Sequence, residues 1–405
     1  MSKKALLKIA MTFILMGAIS AYGASSIQNK KGDINYFTSP GEGVVDGEPL
    51  SPAPKWIAGL LINVNGIKHK CTGQFLSSTL VMTAMHCVVV EDEFGDVDTL
   101  VPPSHITIYP GVENLSWSNN SNGFHPSQII SWPSVSGELN KDIVLLSFPE
   151  QIGEVIEAAP LYHGYLPKIN QTGIVIGYGS TATLGWATVK SGKLTPDFFG
   201  GRGINVTSDL LTPPPQTFPP NGKTTAGDSG GPFLLSPYPV SPLSEQVKIV
   251  AENSSSVSKS LLDSSALAWI GKQTLLISSP LDGQSFAKNT SEITVKWYSG
   301  TPTSVHIEDF NGQEKASCGN ISPGSLSCSM NVQELFTATK ATGDTEVHYL
   351  IRAIRQDGTS DTVFINIKPN GNPLNITFPP SIDDPHNNSP YSFPAGVTYT
   401  ITGTG

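Results

Sequence analysis

The sequence predicts an all-β chain of two or three domains, and three observations carry that reading. Charged residues make up 14% of the 405 positions, well below the quarter or so typical of globular chains. Neutral polar residues fill the gap, with 39 Gly and 32 Pro, which favours short strands and turns over long helices. Apolar residues come in short runs, as in Leu80-Val81-Met82 and Ile143-Val144-Leu145-Leu146, or alternate, as in Ile293-Thr294-Val295-Lys296-Trp297. The first pattern fits buried strands and the second half-buried ones. Helical spacing is read at Leu267, Ile270 and Thr274, within Ala266–Thr274.

The N-terminus predicts export. Lys3, Lys4 and Lys8 precede an apolar run from Ile9 to Ala21, and Ala21, Gly23 and Ala24 follow. The run is too short to span a bilayer and reads as a secretory signal peptide over residues 1–24. Residues 25–43 are polar and read as a pro-segment. The four cysteines of an exported chain read as two disulfides, for which sequence leaves three pairings open. A net charge of -9 with no basic cluster argues against a nucleic-acid partner.

Val44-Val45-Asp46-Gly47 and Trp56–Leu61 open the next region. Cys71–Leu76 reads as a strand, Ser77-Ser78 as a turn, and Leu80–Thr83 as a buried strand running into Ala84-Met85-His86-Cys87. Glu91-Asp92-Glu93, Asp96 and Asp98 form an acidic loop whose spacing matches no defined calcium loop. It reads as a solvated turn, and no metal is assigned. Asn140-Lys141-Asp142 heads an apolar strand, so the Asp142 carboxylate is carried inward and needs a partner. Gly173–Gly179 is a further strand, and Val247–Val250 another. In Thr225-Ala226-Gly227-Asp228-Ser229-Gly230-Gly231-Pro232, small residues crowd one serine. Glycine lets another group approach bare backbone, and the N–H groups of Gly227 and Ser229 are then free to face an oxyanion.

These segments, in this order, resemble the trypsin-like (chymotrypsin-fold) serine proteases over about residues 44–276. Gly-Asp-Ser-Gly-Gly-Pro matches residue for residue. Thr83-Ala84-Met85-His86-Cys87 departs from the family's Thr-Ala-Ala-His-Cys at Met85, Asp46 replaces the usual first glycine, and Thr225 replaces a cysteine. The resemblance implies a domain of two six-stranded β-barrels. It implies Ser229 as nucleophile, His86 as general base and Asp142 as its orienting carboxylate, in the family's chain order. It also implies an oxyanion hole from Gly227 and Ser229, and a Cys71–Cys87 disulfide across the histidine loop. Cleavage ahead of Val44 would free an α-amino group to pair with Asp228, so the chain is expected as a zymogen needing an activating protease. Lys223, six residues before the nucleophile, falls at the floor of the primary specificity pocket. The implied activity is a secreted serine endopeptidase acting on proteins or peptides without a cofactor, not selective for basic residues and suited to acidic ones.

From Leu275 the character changes. Leu276–Pro280, Ile293–Trp297, Val305–Glu308, His348–Ile354 and Thr362–Ile367 read as strands separated by Gly, Asp and Asn turns. They predict an immunoglobulin-like β-sandwich over residues 277–370, with Cys318 and Cys328 closing a short loop. Residues 371–405 read as the start of a second such repeat or a tail. The sandwich also supports two other readings: a catalytically silent protease-like adhesion or binding protein that uses this module on a cell-surface ligand, and an active enzyme attached to the surface by it.

Overall fold

The computed structural model describes residues 44, 47–64, 66–91, 97–117, 123–133, 141–149, 158–164, 171–179, 181–196, 202–207, 224, 226–235, 248–254, 258–338 and 347–368. Residues 1–24, 25–43 and 371–405, read from the sequence as a signal peptide, a pro-segment and a second repeat or tail, lie outside them.

The first part of the chain forms β1 (Glu48–Pro49), β2 (Ile57–Val64), β3 (Ile67–Ser77), β4 (Leu80–Thr83), β5 (Val89–Glu91), β6 (Val97–Leu100), β7 (Ile106–Pro110), β8 (Gln128–Ser131) and β9 (Val144–Ser147). Six of them pair antiparallel in the order β7-β2-β3-β4-β9-β8. A bridge between Ile108 and Phe124 draws the segment ahead of β8 back to β7, so the sheet curls toward a barrel. Strand β2 shows why these sequences lack a simple alternation of apolar and polar residues. Ala58, Leu60 and Ile62 line the barrel interior with Phe75, Val81 and Val144. Ile57 and Leu61 face the other way, into a second apolar layer. A strand buried on both faces reads as a continuous apolar run.

The second barrel is closed. It comprises β10 (Thr172–Gly177), β11 (Gly185–Pro196), β12 (Arg202–Thr207), β13 (Pro232–Leu235), β14 (Lys248–Asn253) and β15 (Ser258–Leu261). The order β11-β10-β13-β14-β15-β12 returns on itself through β11–β12 pairing, and β1 adds to the outside of β11. Val175, Val189, Phe233 and Val250 fill its interior. Ile174, Ile176, Leu234 and Ile249 face outward and join Ile57 and Leu61 in the layer between the barrels. Helix α1 (Ser264–Gly271) packs Ala266 and Ile270 into that layer, with Asp263 as N-cap accepting from the Ala266 N–H at 3.0 Å. The helix runs to Gly271, and the N–H groups of Gln273 and Thr274 still bond the Ile270 carbonyl, at 2.8 and 3.1 Å; at Gly271 the backbone passes so close to the Tyr298 ring that a Cβ would lie 2.6 Å from it.

The remaining strands are β16 (Ile277–Ser279), β17 (Gln284–Ala287), β18 (Glu292–Trp297), β19 (Ser304–Glu308), β20 (Glu314–Ser317), β21 (Ser327–Asn331), β22 (Val347–Ile354) and β23 (Ser360–Lys368), with helix α2 (Gln333–Ala338) after β21. Sheets β16-β18-β21 and β17-β23-β22-β19-β20 face each other over a core of Ile277, Val295, Trp297, Val305, Ile351 and Val363. The Cys318–Cys328 disulfide joins the end of β20 in one sheet to β21 in the other.

This two-sheet unit is tied to the second barrel by buried charge. The His163 backbone N–H donates to Asp282 Oδ2 at 2.8 Å, and its ring Nε2 lies 3.1 Å from the Asp361 carboxylate. Asp361 Oδ2 accepts from the Ile277 N–H at 2.7 Å, and Asp282 Oδ1 from the Phe364 N–H at 2.8 Å. Lys248, on β14, sits 3.7 Å from Asp282 and donates to the Thr362 carbonyl. All four ionisable side chains are buried. Burial works against the Asp361 carboxylate, but His163, with Lys248 and the Ile277 N–H, outweighs it and holds the pKa below the ordinary 3.8.

Removing one partner of such a pair leaves an uncompensated buried charge, so Asp361→Ala is expected to cost about 3–5 kcal/mol, read from urea unfolding. Because the folded pKa of Asp361 is depressed, its contribution is present above 3.8 and is lost as pH falls through the lower folded value. The wild-type transition should therefore weaken in acid over that range more than that of Asp361→Ala.

Candidate active site

Strand β4 ends at Thr83, and the chain turns through a one-turn 3-10 helix, Met85–Cys87. Met85 and Cys87 point into the first barrel's core, leaving His86 between them half-exposed. The Cys71–Cys87 disulfide fastens this turn to β3. Met85 thus fills the barrel wall where the related pattern has a smaller alanine.

Asp142 precedes β9 and is fully buried. Its Oδ1 accepts from the His86 backbone N–H at 2.9 Å, and its Oδ2 lies 2.7 Å from His86 Nδ1. A carboxylate oxygen accepts here, so Nδ1 is the donor in this contact. Ser254, just past β14, donates its hydroxyl to Asp142 Oδ2 at 2.5 Å. The neighbouring Lys141 bonds the N-cap carboxylate of α1, Asp263, at 2.8 Å. Burial opposes the Asp263 carboxylate, but Lys141 prevails and keeps its pKa below the ordinary value. His69 lies beneath the turn, its Nε2 3.0 Å from the Cys87 carbonyl. Burial pushes the His69 pKa below the ordinary 6.5; the Cys87 carbonyl opposes that fall and the nearby His86 adds to it.

Ser229 comes from the second barrel. Its loop is fixed by contacts that cross to β3 and β4. The Thr72 N–H donates to the Ser229 carbonyl at 2.8 Å, the Thr72 hydroxyl to the Gly227 carbonyl at 2.8 Å, and Gln74 Nε2 to the Gly230 carbonyl. The Thr83 hydroxyl holds the Thr72 carbonyl at 2.7 Å. The Ser229 carbonyl lies 3.8 Å from Cys87 Sγ, one residue along from His86. From the loop's own barrel, Asn253 Nδ2 donates to the Asp228 carbonyl at 3.1 Å and the Gly179 N–H to Asp228 Oδ1 at 2.8 Å. Two glycines make the close fit feasible. Gly227 has φ +97° and a Cβ there would lie 2.3 Å from the Gly179 carbonyl oxygen; Gly230 has φ +77° and would meet Thr83 Oγ1 at 2.1 Å. Among the described residues no acceptor takes the N–H of Gly227 or Ser229.

Residues 44–238 match the model of the trypsin family. This region is a trypsin-family domain of the chymotrypsin fold. Among solved structures, the scabies mite inactivated protease paralogue S-I1 aligns at 18% identity and a TM-score of 0.41, covering 56% of this chain and 97% of that one. No curated protein matches the chain.

Within the trypsin-family domain, Val44 is buried in the second barrel's core, its carbonyl accepting from the Gly47 N–H at 2.8 Å. Asp228 is fully buried. Lys223 and the centre of the acidic loop, residues 92–96, lie outside the described residues. Sequence reading did not find Thr72, Gln74, Ser254 or Lys259, which the fold brings to the site. Ser254 had a weak signal, since it follows the strand read at Val247–Val250. The Thr72, Gln74 and Lys259 contacts had none, because they depend on which strand faces which loop.

Gly227→Ala combines a left-handed φ with a backbone clash and should destabilise the domain by about 1–3 kcal/mol, measured by denaturant unfolding. Ser254→Ala, which leaves Asp142 short of a donor, should cost about 1–3 kcal/mol without displacing the loop.

Proposed function

We propose that this protein is a secreted serine endopeptidase in which Ser229 attacks the scissile carbonyl, His86 shuttles the proton and Asp142 holds the ring. The observation that carries the reading is the meeting of two independently braced parts. Asp142 holds the His86 ring through Nδ1, and the Ser229 carbonyl accepts from the Thr72 N–H and lies 3.8 Å from Cys87 Sγ, one residue along from His86. In this reading Nε2 takes the serine proton during attack and returns it to the leaving amine, while Asp142 stabilises the imidazolium. The N–H groups of Gly227 and Ser229 hold the oxyanion, each such donor being worth about 3 kcal/mol in related sites. Two disulfides fit an oxidising compartment outside the cytoplasm.

Ser229→Ala is expected to lower peptide-bond turnover by about a million-fold and to abolish labelling by a fluorophosphonate, with the fold retained by circular dichroism. Equal turnover in the purified variant would remove the assignment. Lys223 further suggests a primary pocket that rejects Arg and Lys and accepts acidic side chains. A fluorogenic panel varying the residue before the cut is expected to show no efficient hydrolysis after Arg.

A further inference from the structure

Asp228 is a fully buried carboxylate, and a carboxylate kept charged away from water needs compensation. The Gly179 N–H and Asn253 supply hydrogen bonds to this residue but no charge. Among the described residues, a cation that Asp228 attracts is Lys259. It is 0% exposed and stands on β15 directly opposite Asn253 of β14. Asn253 in turn clasps the nucleophile loop at three points: its side chain on the Asp228 carbonyl at 3.1 Å, its carbonyl on the Gly230 N–H at 2.8 Å, and its N–H on the Gly231 carbonyl at 2.7 Å. Lys259 Nζ donates to the hydroxyl of Thr224, at the start of that loop, at 2.7 Å. Lysine is among the residues least often buried unless paired, and this one sits between the two ends of the loop that presents Ser229.

We propose that Lys259 is a positioning residue of the nucleophile loop, its ammonium serving as the in-chain counter-charge of Asp228. The inference rests on the serine-protease reading above and deepens it. A counter-charge built into β15 exists before any cut ahead of Val44, so the loop is held in the uncleaved chain. Among the described residues, the acidic groups on the elements packed against Lys259 are Asp228 of the loop and Glu252 of β14. Glu252 pairs with Ser260 and so projects from the other face of the sheet. Burial pulls the Lys259 pKa down to about 7 and the attraction of Asp228 opposes the fall. The two consequences of this have opposite signs. As pH rises from about 7 towards the ordinary 10.5, the folded chain has shed a proton that the unfolded chain still binds, so stability rises. Over the same range the charge facing Asp228 is lost, so the loop loosens and reactivity falls.

The test uses the full chain with its sequence upstream of Val44 intact, verified by N-terminal sequencing, and reads the rate of fluorophosphonate labelling of Ser229. Lys259→Met removes charge and hydrogen bond. Lys259→Gln keeps a donor for Thr224 without the charge. Both should label about tenfold or more slowly at pH 6, the effect of roughly one pKa unit of lost interaction. In the wild type, labelling should decline above about pH 7 while the thermal midpoint climbs, and both slopes should vanish in the variants. A role in packing only would not move the two in opposite directions. Labelling of Lys259→Gln at the wild-type rate overturns the inference, as does wild-type labelling that requires the cut at Val44 and ignores residue 259. If the wild type labels under no condition, cleaved or not, the serine-protease reading fails instead. The Lys259–Asp228 coupling is then decided by a double-mutant cycle of Lys259→Gln and Asp228→Asn in urea unfolding: non-additive costs support it, and additive costs overturn it.

Discussion

The arrangement depends on the clamp between Thr72 and the Gly227–Gly230 loop. One residue of the first barrel offers its N–H and hydroxyl to two carbonyls of a loop from the second, and Gln74 adds a third contact. Each such bond is worth only about 1 kcal/mol net. Their importance is geometric, because they fix the separation of two barrels whose shared apolar layer would tolerate sliding. Side chains of both barrels meet in that layer, and the hydrophobic effect that joins them is non-directional. Directional bonds at its edge turn an adhesive contact into a defined one, and the site lies at that edge.

Buried charge is the second organising constraint, and the chain compensates it locally at Asp142, at Lys141 and where the barrel meets the two-sheet unit. Asp142 has the His86 backbone and ring and the Ser254 hydroxyl. Lys141, its neighbour, has Asp263 and so couples the start of β9 to the cap of α1. The barrel and the two-sheet unit meet through His163, Lys248, Asp282 and Asp361. Lys248 begins β14, the strand that ends at Asn253 beside the nucleophile loop and leads into Ser254. The two-sheet unit is therefore bonded to a strand that reaches the site at its other end. Ions that are costly to desolvate are retained where they specify an arrangement, which apolar contacts do poorly.

Much of this was legible in the sequence because the informative features are local. The strand periods, the crowd of small residues around Ser229 and the carboxylate heading an apolar run each lie within a few consecutive positions. Other features were hidden by their range. Thr72 and Gln74 lie about 155 residues from the loop they hold, and neither stands out among the polar residues of a strand. Lys259 reads as an ordinary strand lysine, since nothing in Ser258-Lys259-Ser260 indicates full burial.

The sequence by itself determined the all-β class, the order of the segments and the chemical identity of the residues offered for catalysis. Those follow from side-chain period, turn chemistry and residue type, which short-range sterics and solvation dictate. Only the tertiary structure decided which polar groups compensate one another: His86 with Asp142, the Ser229 loop with Thr72, Lys259 with Thr224, and His163 with Asp361. Burial makes an unmet donor or charge costly, and what is buried against what is settled only when sheets close and barrels pack.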